Sequence, residues 1–128
     1  MNNFQSNSSS QTAKQYDLEE RTVFFSQQII NFCKQIKQGI ILSPLINQLV
    51  RSATSIGANY NEATEASSKK DFTNKICIAK KEAKETQYWL RLIGQSSPEH
   101  VEIARNLWKE AHELTLIFSA IVRTSRSN

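Results

Sequence analysis

Apolar residues recur every seven positions, in steps of four and three, along four separate segments of this chain. In the first segment the repeat runs through Phe25, Ile29, Phe32 and Ile36. An average step of about 3.5 residues places such side chains on one face of an α-helix, and it is typical of helices that pack at shallow angles. The pattern therefore predicts an all-α fold in which four amphipathic helices bury one stripe each.

A few capping and turn-forming residues indicate where these helices begin and end. Only three glycines and two prolines occur, which favours long uninterrupted helices. Gly39 is expected to end the first helix in the left-handed conformation, and Gly94 to close the third. The residues that suit N-cap positions are Asp17, Ser43, Ser68 and Ser97. The predicted helices span about residues 17–38, 44–66, 69–94 and 98–124.

The segments between the helices are only a few residues long. Helices joined in this way must turn back on their predecessors, so we expect an antiparallel up-down four-helix bundle over residues 16–124. Residues 1–15 are rich in Asn, Ser and Gln and show no apolar periodicity. Such a segment buries too little surface to offset the entropy of ordering, and it is predicted to be a disordered polar tail.

The chain shows no sign of export or of membrane insertion. Residues 1–15 contain no apolar stretch of the kind found in secretory signals, and no run of about 18 apolar residues occurs. Cys33 and Cys77 lie in apolar helical segments without CxxC spacing, which is typical of reduced core thiols. We therefore expect a cytoplasmic protein with no membrane partner.

No arrangement of residues indicates catalysis or a cofactor. A di-metal helical bundle needs Glu-x-x-His pairs, but Lys109 precedes His112 and Ser97 precedes His100 by three residues. His112 and Glu113 begin like the zinc motif HExxH, yet the second histidine is missing. The glycines are isolated, so no phosphate-cradling loop is present. The chain is predicted to be no enzyme and to hold neither a metal nor another cofactor.

Large aromatic residues exceed what one bundle needs. Tyr88, Trp89 and Trp108 lie beside the apolar stripes of the third and fourth helices. One interpretation is a second buried face, which predicts an oligomer interface or a contact with a partner protein. The alternative is that the interior of the bundle absorbs these side chains. The pattern favours self-association.

The second helix carries a ladder of polar residues at helical spacing. Its members, Arg51, Ser55, Asn59 and Glu62, follow one another in steps of four, four and three and so share one face. We interpret this polar ladder as a structural hydrogen-bond network that sets helix register, with a ligand-binding lining as the alternative. Gly57 lies nearby and weakens the helix intrinsically, so it predicts a close approach of a neighbouring helix.

The positive charge of the chain is concentrated in the third helix. The whole chain has a net charge of +4, and residues 68–94 carry seven basic and three acidic side chains, also a net charge of +4. We predict a surface that binds nucleic-acid phosphates, since such binding is mainly electrostatic. The alternative is a solvated face with helical ion pairs such as Lys81 with Glu85. The predicted contact residues are Lys69, Lys70, Lys80, Lys81, Lys84 and Arg91.

Two segments carry a resemblance to a known family. RSATSIGANYNEA covers residues 51–63, and DFTNKICIAKKEAKETQYWL covers residues 71–90. They resemble the four helix bundle protein family, which includes proteins encoded in intervening sequences of bacterial large-subunit ribosomal RNA genes. It also includes accessory variability proteins of diversity-generating retroelements. This chain departs from many relatives at Ala63 and at Lys81-Glu82, where they have glycine and a Gly-Ser pair.

The resemblance carries its own expectations about assembly and partners. It implies a homo-oligomer in the form of a pentameric barrel, a non-enzymatic role, and, for the retroelement members, binding of RNA or DNA and of a reverse transcriptase. We therefore expect a nucleic-acid-binding accessory protein whose basic surface is repeated in a homopentamer. The alternative is a protein-interaction scaffold that binds no nucleic acid.

Overall fold

The computed structural model describes residues 17–127, and the predicted tail at residues 1–15 lies outside them. Within this range the chain is all-α and contains no strand. A single turn of 3-10 helix, Pro98–His100, joins the last two α-helices. The four α-helices are α1 (Leu18–Lys34), α2 (Leu42–Thr64), α3 (Lys69–Ser96) and α4 (Val101–Ser127).

Each helix packs against two others around one core. The most extensive contacts join α2 to α3 and α3 to α4, while α1 makes smaller contacts with α2 and α4. The rings of Tyr60 on α2 and Phe118 on α4 meet across the centre, with centroids 6.3 Å apart. This arrangement gives α3 two extensive neighbours and leaves its remaining surface facing outward.

The core consists of the apolar stripes that the seven-residue repeat predicts. All of the predicted positions on α1 are buried, and Thr22 fills the gap between Leu18 and Phe25. The stripes of α2, α3 and α4 are buried or packed against the core along their length. Burial of these faces is the main favourable term for a bundle of this size.

Of the four predicted N-caps, two are confirmed and Ser43 is wrong; Ser97 precedes the 3-10 turn, where its side chain forms no capping hydrogen bond. The carboxylate of Asp17 accepts the N–H of Glu20, and the hydroxyl of Ser68 accepts the N–H of Asp71. The helix α2, however, already begins at Leu42, and no side chain caps its first turn. The Ser43 hydroxyl instead accepts the N–H of Gly39 at 3.1 Å and donates to Gln38, so it holds the preceding loop.

Neither glycine ends a helix in the predicted way. No glycine within residues 17–127 has a positive φ, and α1 ends at Lys34, where the N–H groups of Gln35 and Ile36 bond back to the last turn. Gly94 lies inside α3, which continues to Ser96. A Cβ added at Gly94 would lie 3.3 Å from that of Ala104, so this glycine serves helix packing and not helix termination.

Gly57 confirms the expected close approach between helices. A Cβ added there would lie 3.0 Å from Oγ1 and 3.1 Å from Cβ of Thr22 on α1. Thr22 is almost fully buried, and its hydroxyl bonds the carbonyl of Glu19, so it has little freedom to move. The cost of glycine within α2 is therefore offset by tighter contact with α1.

Replacing Gly57 with alanine is expected to lower the free energy of unfolding by about 1 kcal/mol, because the clash with Thr22 outweighs the better helix propensity of alanine. Urea denaturation followed by circular dichroism measures the change. Gly39→Ala is the matched control, since no atom lies within 4 Å of the added methyl group. Equal or greater stability of Gly57→Ala would contradict the packing role.

Buried hydroxyl groups connect α3 to both of its neighbours. The Thr86 hydroxyl lies 2.9 Å from that of Ser52 on α2, and both side chains are fully buried. The hydroxyls of Thr73 and Ser125 are hydrogen-bonded between α3 and α4. No buried side-chain N or O within residues 17–127 lacks a hydrogen-bond partner. These bonds restrict the sliding of α3, because displacing it would leave buried polar groups unpaired.

Candidate functional site

The six predicted phosphate-binding residues lie along one surface, mostly on the outer side of α3. Five of them are exposed and Lys80 is half-buried. Their side-chain nitrogens have no carboxylate oxygen within 4.0 Å among residues 17–127. We call this set the basic surface: Lys69, Lys70, Lys80, Lys81, Lys84 and Arg91.

Two of the three acidic residues of α3, Glu82 and Glu85, form ion pairs with α2. Arg51 donates from Nη1 to Glu82 at 3.3 Å and from Nη2 to Glu85, while its Nε lies 3.1 Å from the Gln48 side-chain oxygen. The Lys81–Glu85 pair considered above is not formed within ion-pair distance, although the charge of Lys81 still acts on that carboxylate. Glu82 and Glu85 therefore face α2, while most lysines of the basic surface face solvent.

Glu85 is the most strongly held of these carboxylates. The indole N–H of Trp89 donates to its Oε2 at 3.0 Å. This hydrogen bond is the largest cause of a lowered Glu85 pKa; Arg51 lowers the pKa further, and partial burial opposes both. Because the pKa is depressed in the folded state, the stabilising contribution of Glu85 is present above its unfolded pKa and is lost as the pH falls through the folded pKa.

Replacing Trp89 with phenylalanine is expected to raise the pKa of Glu85 towards the ordinary glutamate value, because the indole donor is removed. A titration of the Glu85 side-chain carboxyl by carbon-detected NMR measures the shift. Arg51→Gln should also raise the same pKa, because it removes a hydrogen-bond donor and a positive charge. An unchanged Glu85 titration in the Trp89 variant would show that the indole does not stabilise this carboxylate.

The polar ladder of α2 contains two kinds of residue. Arg51 and Glu62, at its ends, form ion pairs with α3; Lys75 donates to Glu62 at 2.7 Å. That hydrogen bond raises the pKa of Lys75. Ser55 and Asn59, in the middle, bond to backbone carbonyls of α2 itself. The cross-helix contacts of the ladder are therefore at its ends, and its structural role remains a prediction.

The three aromatic residues of the predicted oligomer interface lie in different surroundings. Tyr88 is 57% exposed on the outer face of α3, and its ring meets Trp89 edge-on. Trp89 is half-buried against the core beside Glu85. Trp108, on α4, is half-buried and stacks on His112 with ring centroids 5.3 Å apart. Of these three side chains, Tyr88 is the one that is mostly exposed to solvent.

A polar groove joins the start of α3 to the end of α4. Its volume is about 460 Å³, and its lining brings Lys69 and Lys70 together with Asn74 and Arg126. Arg126 also donates towards the sulfur of Cys77 at 3.6 Å. Neither Asn74 nor Arg126 could be assigned to a site from the sequence pattern, because neither stands in the run of lysines that marks the basic surface. Only the packing of α4 against α3 brings Arg126 to this place.

The histidines and cysteines lie where packing explains them. His100 meets the ring of Phe32 edge-on, with centroids 6.0 Å apart. Cys33 and Cys77 are separate thiols, and burial raises the pKa of Cys33 to about 11. No group of three or more His, Cys, Asp or Glu side chains within the described range could hold a metal ion.

Two isoleucines form an exposed apolar pair that the sequence analysis did not single out. Ile40 and Ile41, in the loop before α2, are 89% and 69% exposed. They follow the predicted end of the first helix at residue 38 and lie in the connection to the second, where the sequence pattern predicts no contact surface. None of the helices between residues 17 and 127 is both long and apolar enough to cross a membrane.

Comparison with known proteins identifies similar chains. Residues 14–120 match the family model described as 23S rRNA-intervening sequence protein. The fold is similar to a crystal structure of a protein with unknown function from the S23 ribosomal protein family of Bacteroides thetaiotaomicron VPI-5482. That match has a TM-score of 0.73 and 33% sequence identity, and it covers 81% of this chain and 96% of the other. No curated protein matches the chain.

Proposed function

Because the chain belongs to the 23S rRNA-intervening sequence protein family, we propose that it is a non-enzymatic, cytoplasmic accessory protein that binds RNA or DNA. Its contacts are made to phosphate groups through the basic surface of α3. The surface is repeated in a homo-oligomer, which multiplies the positive field that a nucleic acid meets. Binding of this kind is largely independent of sequence, since phosphates carry no base information.

One observation supports this proposal: Arg51 forms ion pairs with the carboxylates of α3 that would otherwise be available to pair with the lysines of the basic surface. Glu82 and Glu85 are the acidic residues in the middle of α3, and both bond to this arginine. The basic surface is thereby left without ion-pair partners within the described range. Unpaired cations release counterions on binding phosphate, whereas cations in ion pairs must first give up a partner.

The polar groove at the start of α3 extends the proposed contact area. Arg126 adds a guanidinium group to Lys69 and Lys70, and Asn74 adds an amide donor. Guanidinium groups bind phosphate oxygens in a two-pronged geometry that lysine does not offer. The groove therefore supports a contact that is more directional than the field of the open α3 surface.

We infer an up-down antiparallel order for the helices from the contacts between them. Ser52 meets Thr86 and Glu62 meets Lys75, so rising residue numbers on α2 pair with falling numbers on α3. The pair Arg21–Glu110 joins α1 to α4, and the pair Phe32–His100 joins α1 to the 3-10 turn before α4; both support the same relation. Antiparallel neighbours place the start of α3 beside the end of α4, which assembles the polar groove.

Self-association is expected through the outward aromatic residues, and the family resemblance favours a pentameric barrel. Light scattering at micromolar concentration should give a mass near five times the 14.6 kDa of one chain. Tyr88→Ser should lower this mass by removing an exposed aromatic contact, because aromatic anchors dominate such interfaces. A wild-type mass equal to one chain would refute self-association.

The test of nucleic-acid binding is an electrophoretic mobility assay at low salt with single-stranded and duplex RNA and DNA. A shift that weakens steeply as salt rises supports the proposal, because phosphate contacts release counterions. No shift with any of the four probes refutes it. The gene neighbourhood then separates two settings: an interrupted ribosomal RNA gene, or a retroelement in which a reverse transcriptase is the partner.

A protein-interaction scaffold without nucleic-acid binding is the second candidate function. It is favoured by the exposed pair Ile40 and Ile41, since adjacent exposed isoleucines are suited to an apolar contact. Capture of one protein partner that persists at high salt, and that Ile41→Ser abolishes, would support it. In that case the lysines would serve solubility, and the mobility assay would be negative.

A further inference from the structure

A second groove lies between the end of α3 and the start of α4, at the opposite end of these helices from the polar groove. Its volume is about 300 Å³, near the lower limit of ligand pockets in proteins. Leu90, Gly94 and Ala104 contribute apolar surface to it. Gly94 and Ala104 are small, and the two helices approach closely there.

One wall of this groove is an aromatic ring whose orientation is supported by its neighbour. Trp108 lines the groove and stacks on His112 at an interplanar angle of 13°. His112 lies one turn towards the C-terminus, whereas Ala104 and Arg105 lie towards the N-terminus. The imidazole covers one face of the indole and supports the orientation in which Trp108 lines the groove.

The edges of the groove are positively charged. Arg91 lines it from α3 and Arg105 from α4, Gln95 adds an amide, and no Asp or Glu is among the lining residues. Arg105 has one acidic neighbour, Glu102, at 3.9 Å, but both side chains are well exposed. An exposed pair of this kind contributes little and is readily exchanged for a phosphate.

We propose that this groove binds an unpaired nucleobase of single-stranded RNA or DNA against Trp108, with Arg91 and Arg105 on the flanking phosphates. This inference rests on the proposed function and specifies its ligand. Stacking on aromatic side chains beside cationic groups is how single strands are held without sequence preference. A duplex keeps its bases stacked within itself, so it could offer this groove only phosphates.

The groove suits a nucleobase with its flanking phosphates better than it suits an anion alone or an apolar group alone. An inorganic anion would need the two arginines but would leave the indole and the apolar surface without a partner. An apolar peptide segment would cover the indole but would leave two guanidinium groups without anions. A nucleotide within a strand satisfies both, because each base is flanked by phosphates.

The experiment uses the indole as its own reporter. In the full-length Trp89→Phe variant, Trp108 is the remaining tryptophan, and single-stranded oligoadenylate is expected to quench its fluorescence. Trp108→Leu in the otherwise wild-type chain should weaken binding of the same strand about ten-fold while leaving duplex binding within about two-fold. Arg105→Gln should lower the slope of log affinity against log salt by about 0.7.

Lys109→Gln is the matched control, since this exposed cation lies on α4 outside the groove. It should leave the quenching amplitude unchanged. Arg105 is also exposed, so its variant is expected to fold normally and keeps the test valid if Trp108→Leu is unstable. Circular dichroism of each variant establishes that it is folded.

Several results would overturn the inference. If oligoadenylate binds but neither quenches Trp108 nor responds to Arg105→Gln, the groove is not its site, although the proposed function stands. Equal quenching by duplex and single strand would exclude an unpaired base. Quenching that depends on protein concentration without oligonucleotide would assign Trp108 to the oligomer interface. Absence of binding to any nucleic acid would refute the proposed function itself.

Discussion

Reversing the charge of Lys80 and Lys84 together is expected to weaken nucleic-acid binding about 100-fold at physiological salt, because two phosphate contacts become two repulsions. The slope of log affinity against log salt should become shallower by about 1.8 for duplex DNA. Both residues lie in the middle of the basic surface, within a turn of each other. Mobility shifts or fluorescence anisotropy over a salt series measure affinity and slope together.

The control for this experiment has the same charge change elsewhere. Lys34→Glu with Lys109→Glu alters two exposed residues on α1 and α4 and gives the same net charge. If only the net charge of the protein matters, both double variants weaken binding equally. If binding depends on the α3 surface, the Lys80 and Lys84 variant is far weaker. Intact binding by that variant would remove α3 from the proposed site.

Replacing Phe118 with alanine is expected to lower the free energy of unfolding by about 4 kcal/mol, a large part of the total stability of a small domain. The ring is fully buried on α4 and meets Tyr60 of α2 across the centre of the bundle. Its removal leaves a cavity in the buried core. Guanidinium denaturation, followed by the helical circular dichroism signal, measures the loss.

Leu116→Ala provides the comparison for that result. Leu116 is on the same helix but 50% exposed, so the substitution should change the free energy of unfolding by less than about 0.5 kcal/mol. A small effect at Phe118 would mean that the centre of the bundle can collapse around the missing ring. A large effect at Leu116 would indicate that an oligomer contact covers it.

Helix number and burial could be predicted from the sequence because both depend on local spacing. The apolar stripe on α1 is buried throughout, and Asp17 and Ser68 cap their helices as expected. The ends of the helices were harder to predict. Gly39 suggested left-handed termination and Gly94 the end of the third helix, yet Gly39 has no positive φ and Gly94 packs against α4 inside its helix. Residue type alone does not distinguish a glycine that ends a helix from one that allows two helices to pack closely.

The candidate site depended on distances between helices, which spacing within a helix does not contain. The run of lysines on α3 could be seen in the sequence. The ion pairs of Arg51 with Glu82 and Glu85, which leave those lysines unpaired, could not. Arg105 and Arg126 stand alone in the sequence, and each gains a role only where α4 lies against α3. A cationic groove formed by two helices therefore cannot be predicted from residue spacing and becomes apparent only in the tertiary structure.

The sequence by itself determined that this chain forms four amphipathic helices with a surplus of positive charge on the third. Both properties follow from residue type and periodicity, which act over a few turns. Only the tertiary structure decided which of those charges stay unpaired and which grooves they line. The physical reason is that ion pairing and concavity depend on side chains from different helices, and their register is set by long-range contacts such as Gly57 on Thr22 and Thr86 on Ser52.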